Sequence, residues 1–203
     1  STDMHVLKFI LLFLGYKPFS AVLIKESKLE LSKTWMNWVE KHPDSVVLVN
    51  RGVHGDTDSN VVSNIRVVLN FLIRTLSPEE SLLIWRTVNI AHVNCGENRR
   101  PIPSSRWKDD FIDDNPYHRE WNWKKFPVQS QKVVLPMVKD IIARNNSFLA
   151  SRFVYLDVFE SIKLRADGHH HEIYDCLHYC VPGPLDSWII FLFNIVAFHQ
   201  SGS

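Results

Sequence analysis

The sequence has little net charge and no long apolar run, and these two absences exclude two classes of partner. Its 203 residues carry 23 Lys and Arg against 22 Asp and Glu, and no long basic stretch occurs. Binding a nucleic-acid backbone usually needs clustered Lys and Arg. Crossing a membrane as a helix needs about 20 consecutive apolar residues, and the apolar stretches at 6–15 and 188–198 are shorter. We therefore expect no nucleic-acid partner and no spanning helix in this chain.

Cysteine is also scarce, because the chain has three, Cys95, Cys176 and Cys180. An odd count predicts a free thiol or a partner outside the chain. One sequon, Asn145-Asn146-Ser147, could accept a glycan in a secreted protein. The 45% apolar content is that of a globular protein, and the length suits one domain over residues 1–203.

Apolar runs and helical periods alternate along the chain. The runs at 45–50, 81–88 and 152–158 predict strands buried on both faces. Helical spacing predicts helices over 28–42, 60–76 and 127–145, the last kinked or split by Pro136. The stretch at 6–15 lacks a signal-peptide cleavage site and favours a buried helix. This alternation predicts an α/β fold with a mostly parallel sheet and helices on both faces.

Residues 94–126 show no period and are rich in Pro, Trp, Arg and Asp. A long irregular insertion of this kind is often a binding loop. Three histidine-bearing polar segments also follow the three predicted strands, and ligands of such sheets gather at the carboxyl ends of the strands. Polar turns have a backbone explanation as well, and we expect the histidine run 169–171 to lie in a solvated loop.

The segment YDCLHYCVPGPLDSW at 174–188 places Asp175 three residues before His178. A histidine works as a general base near neutral pH when a carboxylate fixes its tautomer. An Asp on the same short turn could supply that contact. The spacing D-x-x-H alone is a weak signal, but the full string is much more specific.

Four blocks, in order, resemble those of the PMR5/trichome-birefringence-like family, the PC-esterase branch of the SGNH/GDSL hydrolases. DCLHYCVPGPLDSW is similar to the family's DCxHWCLPGxxDxWN, and LRADGHH to its RPDGHP. LLIWRTVNIAHVNC resembles its RT-x-x-P-x-H block, and VLVNRGVHGD its N-x-G-H-W block. Ala166, Tyr179 and the pair Ile90-Ala91 depart from these patterns.

The resemblance implies a three-layer α/β/α, flavodoxin-like fold that moves acyl groups, chiefly acetyl, to or from polysaccharide hydroxyls. It implies a Ser-His-Asp triad without metal or cofactor, in which Asp175 and His178 match the family's acid and base. Gly52 would lend its N–H to the oxyanion hole, and Asn89 lies near the position of an oxyanion asparagine in SGNH enzymes. Arg86, His54 and His92 are candidates for substrate contact on the same rim.

The family's Gly-Asp-Ser block is absent from the sequence. The opening STDMHVLKF is similar to the residues that follow Gly-Asp in the family, so Ser1 is the candidate nucleophile of a chain that lacks its first strand. The alternative is that Ser1 is simply where the fragment starts. The resemblance also implies disulfides from the cysteines around His178 to distant parts of the chain. It further implies a Golgi or secretory-pathway protein, possibly extracellular, whose membrane anchor would precede this chain, and we expect a monomer.

Two rival functions remain open. The first is a zinc site, because ligand-type residues crowd into His169–Cys180, although their spacing fits no structural zinc motif. The second is a catalytically inactive glycan-binding module, in which Trp107, Trp121 and Trp123 would stack on sugar rings. The usual role of tryptophan without a binding function is core packing, and we favour that role for Trp35, Trp38 and Trp85.

Overall fold

The structure is a computed structural model, and it describes residues 3–9, 19–25, 33–50, 58–92, 95–107, 134–145, 150–170 and 175–201. Its strands are β1 (Asp3–Phe9), β2 (Phe19–Lys25), β3 (Val46–Asn50), β4 (Leu82–Arg86), β5 (Phe153–Leu156), β6 (His169–His170) and β7 (Asp175–Tyr179). Its helices are α1 (Lys33–Lys41), α2 (Asp58–Thr75), α3 (Leu135–Asn145), α4 (Val158–Ile162) and α5 (Pro184–Ser201). Short 3-10 turns lie at Cys95–Glu97, Ser104–Arg106 and Ala166–Gly168.

The three predicted strands form one parallel sheet in the order β3-β4-β5. Burial on both faces is confirmed for β4, whose residues Leu82–Trp85 are at most 2% exposed. It is wrong for β3, where Leu48 is 44% exposed. Strand β4 has a neighbour on each side, whereas β3 pairs only with β4 among the described residues. A run of β-branched residues therefore predicts a strand, but not its place in the sheet.

Helices cover both faces of this sheet, as the α/β prediction requires. Leu83 and Trp85 point to one face and pack in a cluster with Trp35 of α1, Leu69 of α2 and Val138 of α3. Leu82 and Ile84 alternate to the other face and pack against Val196, Trp188 and Leu192 of α5. Burying each such side chain stabilises the fold by about 1.5–3 kcal/mol. The three-layer α/β/α architecture is thus confirmed.

The helix predictions hold with shifted ends. Helix α2 matches the predicted range closely, and α1 keeps Trp35 and Val39 buried on one face with Trp38 partly buried beside them. Helix α3 is described from Leu135, with Pro136 in its first turn, and residues 127–133 of the predicted range lie outside the described residues, so the kink or split at Pro136 stays a prediction. Proline is tolerated there, where its missing N–H has no partner within the helix.

The helix predicted for 6–15 is wrong in its described part. Residues Asp3–Phe9 form β1, which pairs antiparallel with β2, from Asp3 opposite Lys25 to Phe9 opposite Phe19. A nearly continuous apolar run has no period, so it is compatible with either a strand or a helix. The pairing partner at 19–25 decides in favour of a strand.

The apolar tail forms α5, which covers one face of the sheet. Several of its large apolar side chains are exposed, namely Ile189, Ile190, Phe191, Phe193 and Phe198. In the part of the chain that the structure describes, no helix has the length and apolarity to cross a membrane.

Candidate active site

Asn50, the last residue of β3, links the carboxyl ends of two strands. Its side-chain Nδ2 donates to the backbone oxygens of Arg86 and Thr87, each at 3.2 Å. Strands β3 and β4 are parallel, with Asn50 opposite Arg86. The amide therefore fixes the backbone at the point where β4 ends and the RT-x-x-P-x-H-like block continues.

Arg86 lies at this edge with a half-buried side chain. Its Nη1 donates to Asn89 Oδ1 at 2.8 Å, and its guanidinium carbon lies 5.1 Å from the centre of the Trp188 ring. Burial lowers the pKa of Arg86 to about 10, so it stays charged at neutral pH. The edge thus holds a cation whose direction is set by an amide and an aromatic face.

Thr87 joins the same edge to the start of α4. Its buried Oγ1 accepts from the backbone N–H groups of Val158 at 2.8 Å and Phe159 at 3.1 Å. It also lies 3.4 Å from Asp157 Oδ1, the N-cap of that helix. The first N–H groups of a helix have no partner within it, so this hydroxyl satisfies donors that would otherwise be buried without one.

The D-x-x-H motif lies on a strand rather than on the predicted short turn. Asp175–Tyr179 is β7, antiparallel to β6, with Tyr179 opposite His169 and Asp175 opposite His170. A regular strand would put residues three apart on opposite faces, but a register shift interrupts the pairing here. The His178 side chain is exposed. The Asp175 side chain lies outside the described residues, so its contact with His178 stays a prediction.

Backbone hydrogen bonds hold β7 at every second residue. His92 N donates to Cys176 O at 3.2 Å, and Cys180 N donates to Gly168 O at 2.8 Å. Between them, the His169 ring donates from Nδ1 to His178 O at 3.0 Å. The strand that carries the candidate base is therefore fixed from two sides.

A disulfide between Cys95 and Cys176 fixes the same strand covalently, with Cα atoms 5.4 Å apart. The distant pairing implied by the family resemblance is confirmed for Cys176. Cys180 is a free thiol, as the odd count allows. Because Cys176 is in a disulfide, it has no thiolate to offer a metal, and the proposed zinc ligand set loses that member.

Tyr179 anchors the strand from its buried face. Its hydroxyl donates to Ile90 O at 3.0 Å, and its ring lies 4.1 Å from the His169 ring and 6.2 Å from the Trp188 ring. Burial raises the pKa of Tyr179 well above its usual range, so it remains a neutral donor. Trp188 thus contacts both Arg86 and the residue next to His178.

His92 and His169 are buried, although the sequence predicted a substrate contact at the rim for His92 and a solvated loop for His169. His92 is fully buried, with Nδ1 2.8 Å from His169 Nε2 and Nε2 2.9 Å from Lys163 O. His169 is also fully buried, so the solvated-loop prediction is wrong for it. The His170 side chain and His171 lie outside the described residues.

The predicted site residues fall into two groups. Ser1, Gly52 and His54 lie outside the described residues. The structure brings Arg86 and Asn89 together at the end of β4 and places His92 against β7, which carries Asp175 and His178. Of the loop tryptophans, Trp107 packs beside Phe159 and His92, while Trp121 and Trp123 lie outside the described residues.

Four further residues contribute to this geometry. Sequence reasoning missed Thr87 and Trp188, and it named Asn50 and His169 only as polar residues that follow the predicted strands. All four lie within the motif blocks, which was the available signal. Their contacts join residues far apart in the chain, so spacing within a block could not show them. As a set, they join the end of β4, which carries Arg86 and Asn89, to α4 and β7, and β7 carries the exposed His178. Imidazole is a residue type suited to proton transfer, and a guanidinium–amide pair is suited to polarising a carbonyl oxygen.

Comparison with known proteins agrees with this chemistry. Xyloglucan O-acetyltransferase 3 of Populus trichocarpa is 28% identical over 159 residues, which cover 71% of this chain and 36% of that protein. Xyloglucan O-acetyltransferase 2 of Arabidopsis thaliana is 33% identical over 75 residues, which cover 32% of this chain and 18% of that protein. The aligned part thus spans about a third or less of these relatives.

A family model matches more of the chain. Residues 31–195 match PC-Esterase, described as a GDSL/SGNH-like acyl-esterase family found in Pmr5 and Cas1p. The match contains all four motif blocks, the parallel sheet and β7. This chain therefore belongs to the PC-esterase family of GDSL/SGNH-like acyl esterases.

Proposed function

We propose that the protein moves acetyl groups to or from the hydroxyls of a polysaccharide. The observation that carries the proposal is the exposed His178 on β7, a strand fixed by the Cys95–Cys176 disulfide and by buried hydrogen bonds. A general base must be accessible to the reacting hydroxyl and held in place. His178 combines exposure with a fixed backbone.

In the proposed reaction, Ser1 attacks the acyl carbon of the donor while His178 takes the proton from the serine oxygen. Asp175 orients His178 and stabilises its charged form. The leaving group takes the proton back from His178, and an acyl-enzyme remains. A sugar hydroxyl then gives its proton to His178 and attacks the ester carbon. The bond from that carbon to the serine oxygen breaks, His178 returns the proton to the serine oxygen, and the acylated sugar leaves. With water in place of the sugar, the same steps give hydrolysis.

The oxyanion of each tetrahedral intermediate needs donors fixed in advance. Gly52 N–H and the Asn89 amide are the proposed donors. The hydrogen bond from Arg86 to Asn89 Oδ1 supports this role, because it orients the amide so that its NH2 group points away from the guanidinium. Arg86 and His54 are the proposed substrate contacts at the rim, and His92 acts on that rim through β7.

The relatives' names supply the proposed acceptor class, since both are xyloglucan O-acetyltransferases. We propose a hydroxyl-rich cell-wall polysaccharide of that kind as the acceptor. The disulfide supports a location in the secretory pathway, the Golgi included, because disulfides persist in oxidising compartments.

The test is intact mass after exposure to a fluorophosphonate serine probe, on this chain and on a version with a strand ending in Gly-Asp added before Ser1. We expect one added probe mass, lost in His178→Ala and retained in His42→Ala, which changes an exposed histidine just after α1. Acetyl transfer to xyloglucan oligosaccharides would be measured on the same samples. If neither version is labelled but both bind the oligosaccharides, the acyl-transfer proposal is wrong, and the protein is a catalytically inactive glycan-binding module.

A further inference from the structure

We propose that His92 and His169 share a single extra proton, and that this buried imidazole–imidazolium pair is the positioning device for His178. The two are positioning residues, because they act through β7. Their importance for catalysis rests on the proposed role of His178. The pairing itself stands on geometry alone.

The ring contacts determine most of the protonation pattern. His92 Nε2 lies 2.9 Å from Lys163 O, and His169 Nδ1 lies 3.0 Å from His178 O. A carbonyl oxygen only accepts, so each of these two nitrogens must carry a proton. In a neutral imidazole, the other nitrogen would then be a bare acceptor.

Those two remaining nitrogens face each other. His92 Nδ1 and His169 Nε2 are 2.8 Å apart, which is hydrogen-bonding distance. Two bare acceptors at this distance would repel, and two N–H groups would clash. The contact is satisfied when one proton lies between them, so the pair holds three ring protons on four nitrogens and one positive charge.

The extra proton lies between His92 Nδ1 and His169 Nε2, and either ring can carry it. Burial, the largest effect on His92, lowers the pKa of that ring, so the charge depends on the hydrogen bonds that the two rings make. Both side chains are fully buried, and a buried charge needs partners. The pair supplies them on both sides of the His169 ring.

Among the described residues, the charged groups around the pair are paired with one another, so the charge of the pair is stabilised by the hydrogen bonds of the two rings. Asp167, in the turn just before His169, is the nearby carboxylate, and Arg165 holds it through two hydrogen bonds at 2.9 and 3.2 Å. Lys163, after α4, faces the pair with its carbonyl, while its ammonium pairs with Glu160. From β7, Tyr179 faces the pair as a neutral ring and His178 faces it through its carbonyl. Trp107 adds an uncharged ring edge.

The consequence for β7 follows from the same contacts. His92 N and His169 Nδ1 bond to the carbonyls of Cys176 and His178, at alternate residues of the strand. Removing the shared proton leaves two lone pairs in contact, and adding another puts two cations in contact. Either change forces the rings apart and displaces the strand. Since a shift of about 1 Å can cost about 100-fold in rate, the site works in a bounded pH window.

The direct test is NMR of the chain with 15N-labelled histidine, in which the nitrogen shift separates a protonated ring nitrogen from a bare one. The two rings are assigned by their contacts to Tyr179 and Trp107. At neutral pH we expect three protonated nitrogens and one bare nitrogen, and loss of the third proton when His92 is replaced. Two neutral rings, with two bare nitrogens, would overturn the proposal without bearing on the catalytic role of His178.

The variants separate positioning from simple structural support. His92→Gln keeps a donor for Lys163 O and removes Nδ1, while His169→Asn keeps a donor for His178 O and removes Nε2. Each should fold, lower kcat by about 100-fold at little change in KM, and change the pH profile of kcat. His42→Asn, at an exposed position just after α1, should change none of these. If His92→Gln keeps the wild-type pH profile and rate, the pair does not position the base.

Discussion

The guanidinium carbon of Arg86 lies 5.1 Å from the centre of the Trp188 indole. This contact joins the block that follows β4 to the last block of the chain, because Trp188 also packs against Tyr179, the neighbour of His178. Two motifs that are distant in sequence thus meet at one aromatic ring. The orientation of Arg86, and through it that of Asn89, depends on this ring.

Replacing Arg86 by lysine should separate charge from shape. A lysine keeps the positive charge but loses the planar fork that stacks on Trp188 and donates to Asn89. We expect Arg86→Lys to lower the free energy of unfolding by about 1 kcal/mol and kcat by about 10- to 100-fold. Arg144→Lys, on the exposed face of α3, is the matched control. If Arg86→Lys and Arg144→Lys change kcat and the free energy of unfolding equally, Arg86 has no special role in the site.

Thr87 offers a test of the link between β4 and α4. Thr87→Val keeps the shape but leaves the N–H groups of Val158 and Phe159 without their hydroxyl acceptor. An unsatisfied buried donor costs about 1–3 kcal/mol, so urea unfolding should show a loss of that size. Thr87→Ser keeps the hydroxyl and should lose only about 0.8 kcal/mol, for one missing methyl group. A valine variant no less stable than the serine variant would contradict this role.

Much of the sheet could be predicted from the sequence because its strands are short apolar runs bounded by polar residues. The runs at 45–50, 81–88 and 152–158 each contain a strand of the parallel sheet. The hairpin β1–β2 was missed because an apolar run without a period fits either structure, and pairing is a non-local property. The strand β7 was missed because the turn at the D-x-x-H motif was inferred only from the local contact that it would allow between Asp175 and His178, whereas the pairing with β6 is not visible in the spacing.

For the candidate site too, the sequence predicts the residues within each motif but not the contacts between distant motifs. Motif blocks identified Arg86, Asn89, Asp175 and His178 as residue types suited to acyl transfer. They could not show that His92 meets His169, since the partners lie 77 residues apart and only the fold brings them together. The histidine run appeared polar and solvated, yet the aromatic and backbone partners of His169 make its burial favourable.

Gly168 should tolerate no side chain. A Cβ there would lie 2.6 Å from Pro184 Cγ and 2.8 Å from Pro184 Cδ, with Tyr179 Cδ1 at 3.1 Å. Because a proline ring has little freedom to move, Gly168→Ala should separate the turn before β6 from the start of α5. We expect a loss of about 1–3 kcal/mol by chemical denaturation. Ser105→Ala, in an exposed turn, should change stability by no more than about 0.5 kcal/mol, and a similarly small effect at Gly168 would show that the contact is loose.

The disulfide should matter more than the free thiol. Cys95 and Cys176 are 81 residues apart in sequence, and a bond that closes a long loop limits the unfolded chain most. Replacing both by serine should lower the free energy of unfolding by about 2–5 kcal/mol and loosen β7, seen as faster amide exchange at Tyr179. Cys180→Ser should do neither. If Cys180→Ser proves as harmful as the double change, the disulfide is not what fixes the strand.

Acid should destabilise the fold partly through His199, near the end of α5. Arg152 Nη1 lies 3.2 Å from both ring nitrogens of His199, and burial, followed by the charge of Arg152, lowers the pKa of His199 below its ordinary 6.5. Below pH 6.5 the unfolded chain therefore takes up the proton first, so the free energy of unfolding falls as the pH drops toward the folded pKa. His199→Asn should flatten this dependence below the ordinary histidine pKa of 6.5, measured by urea unfolding at several pH values. Part of the pH dependence should remain in His199→Asn. Burial also lowers the pKa of His92, so His92 likewise makes the free energy of unfolding fall as the pH drops. An unchanged slope in His199→Asn would mean that folding does not change the pKa of His199.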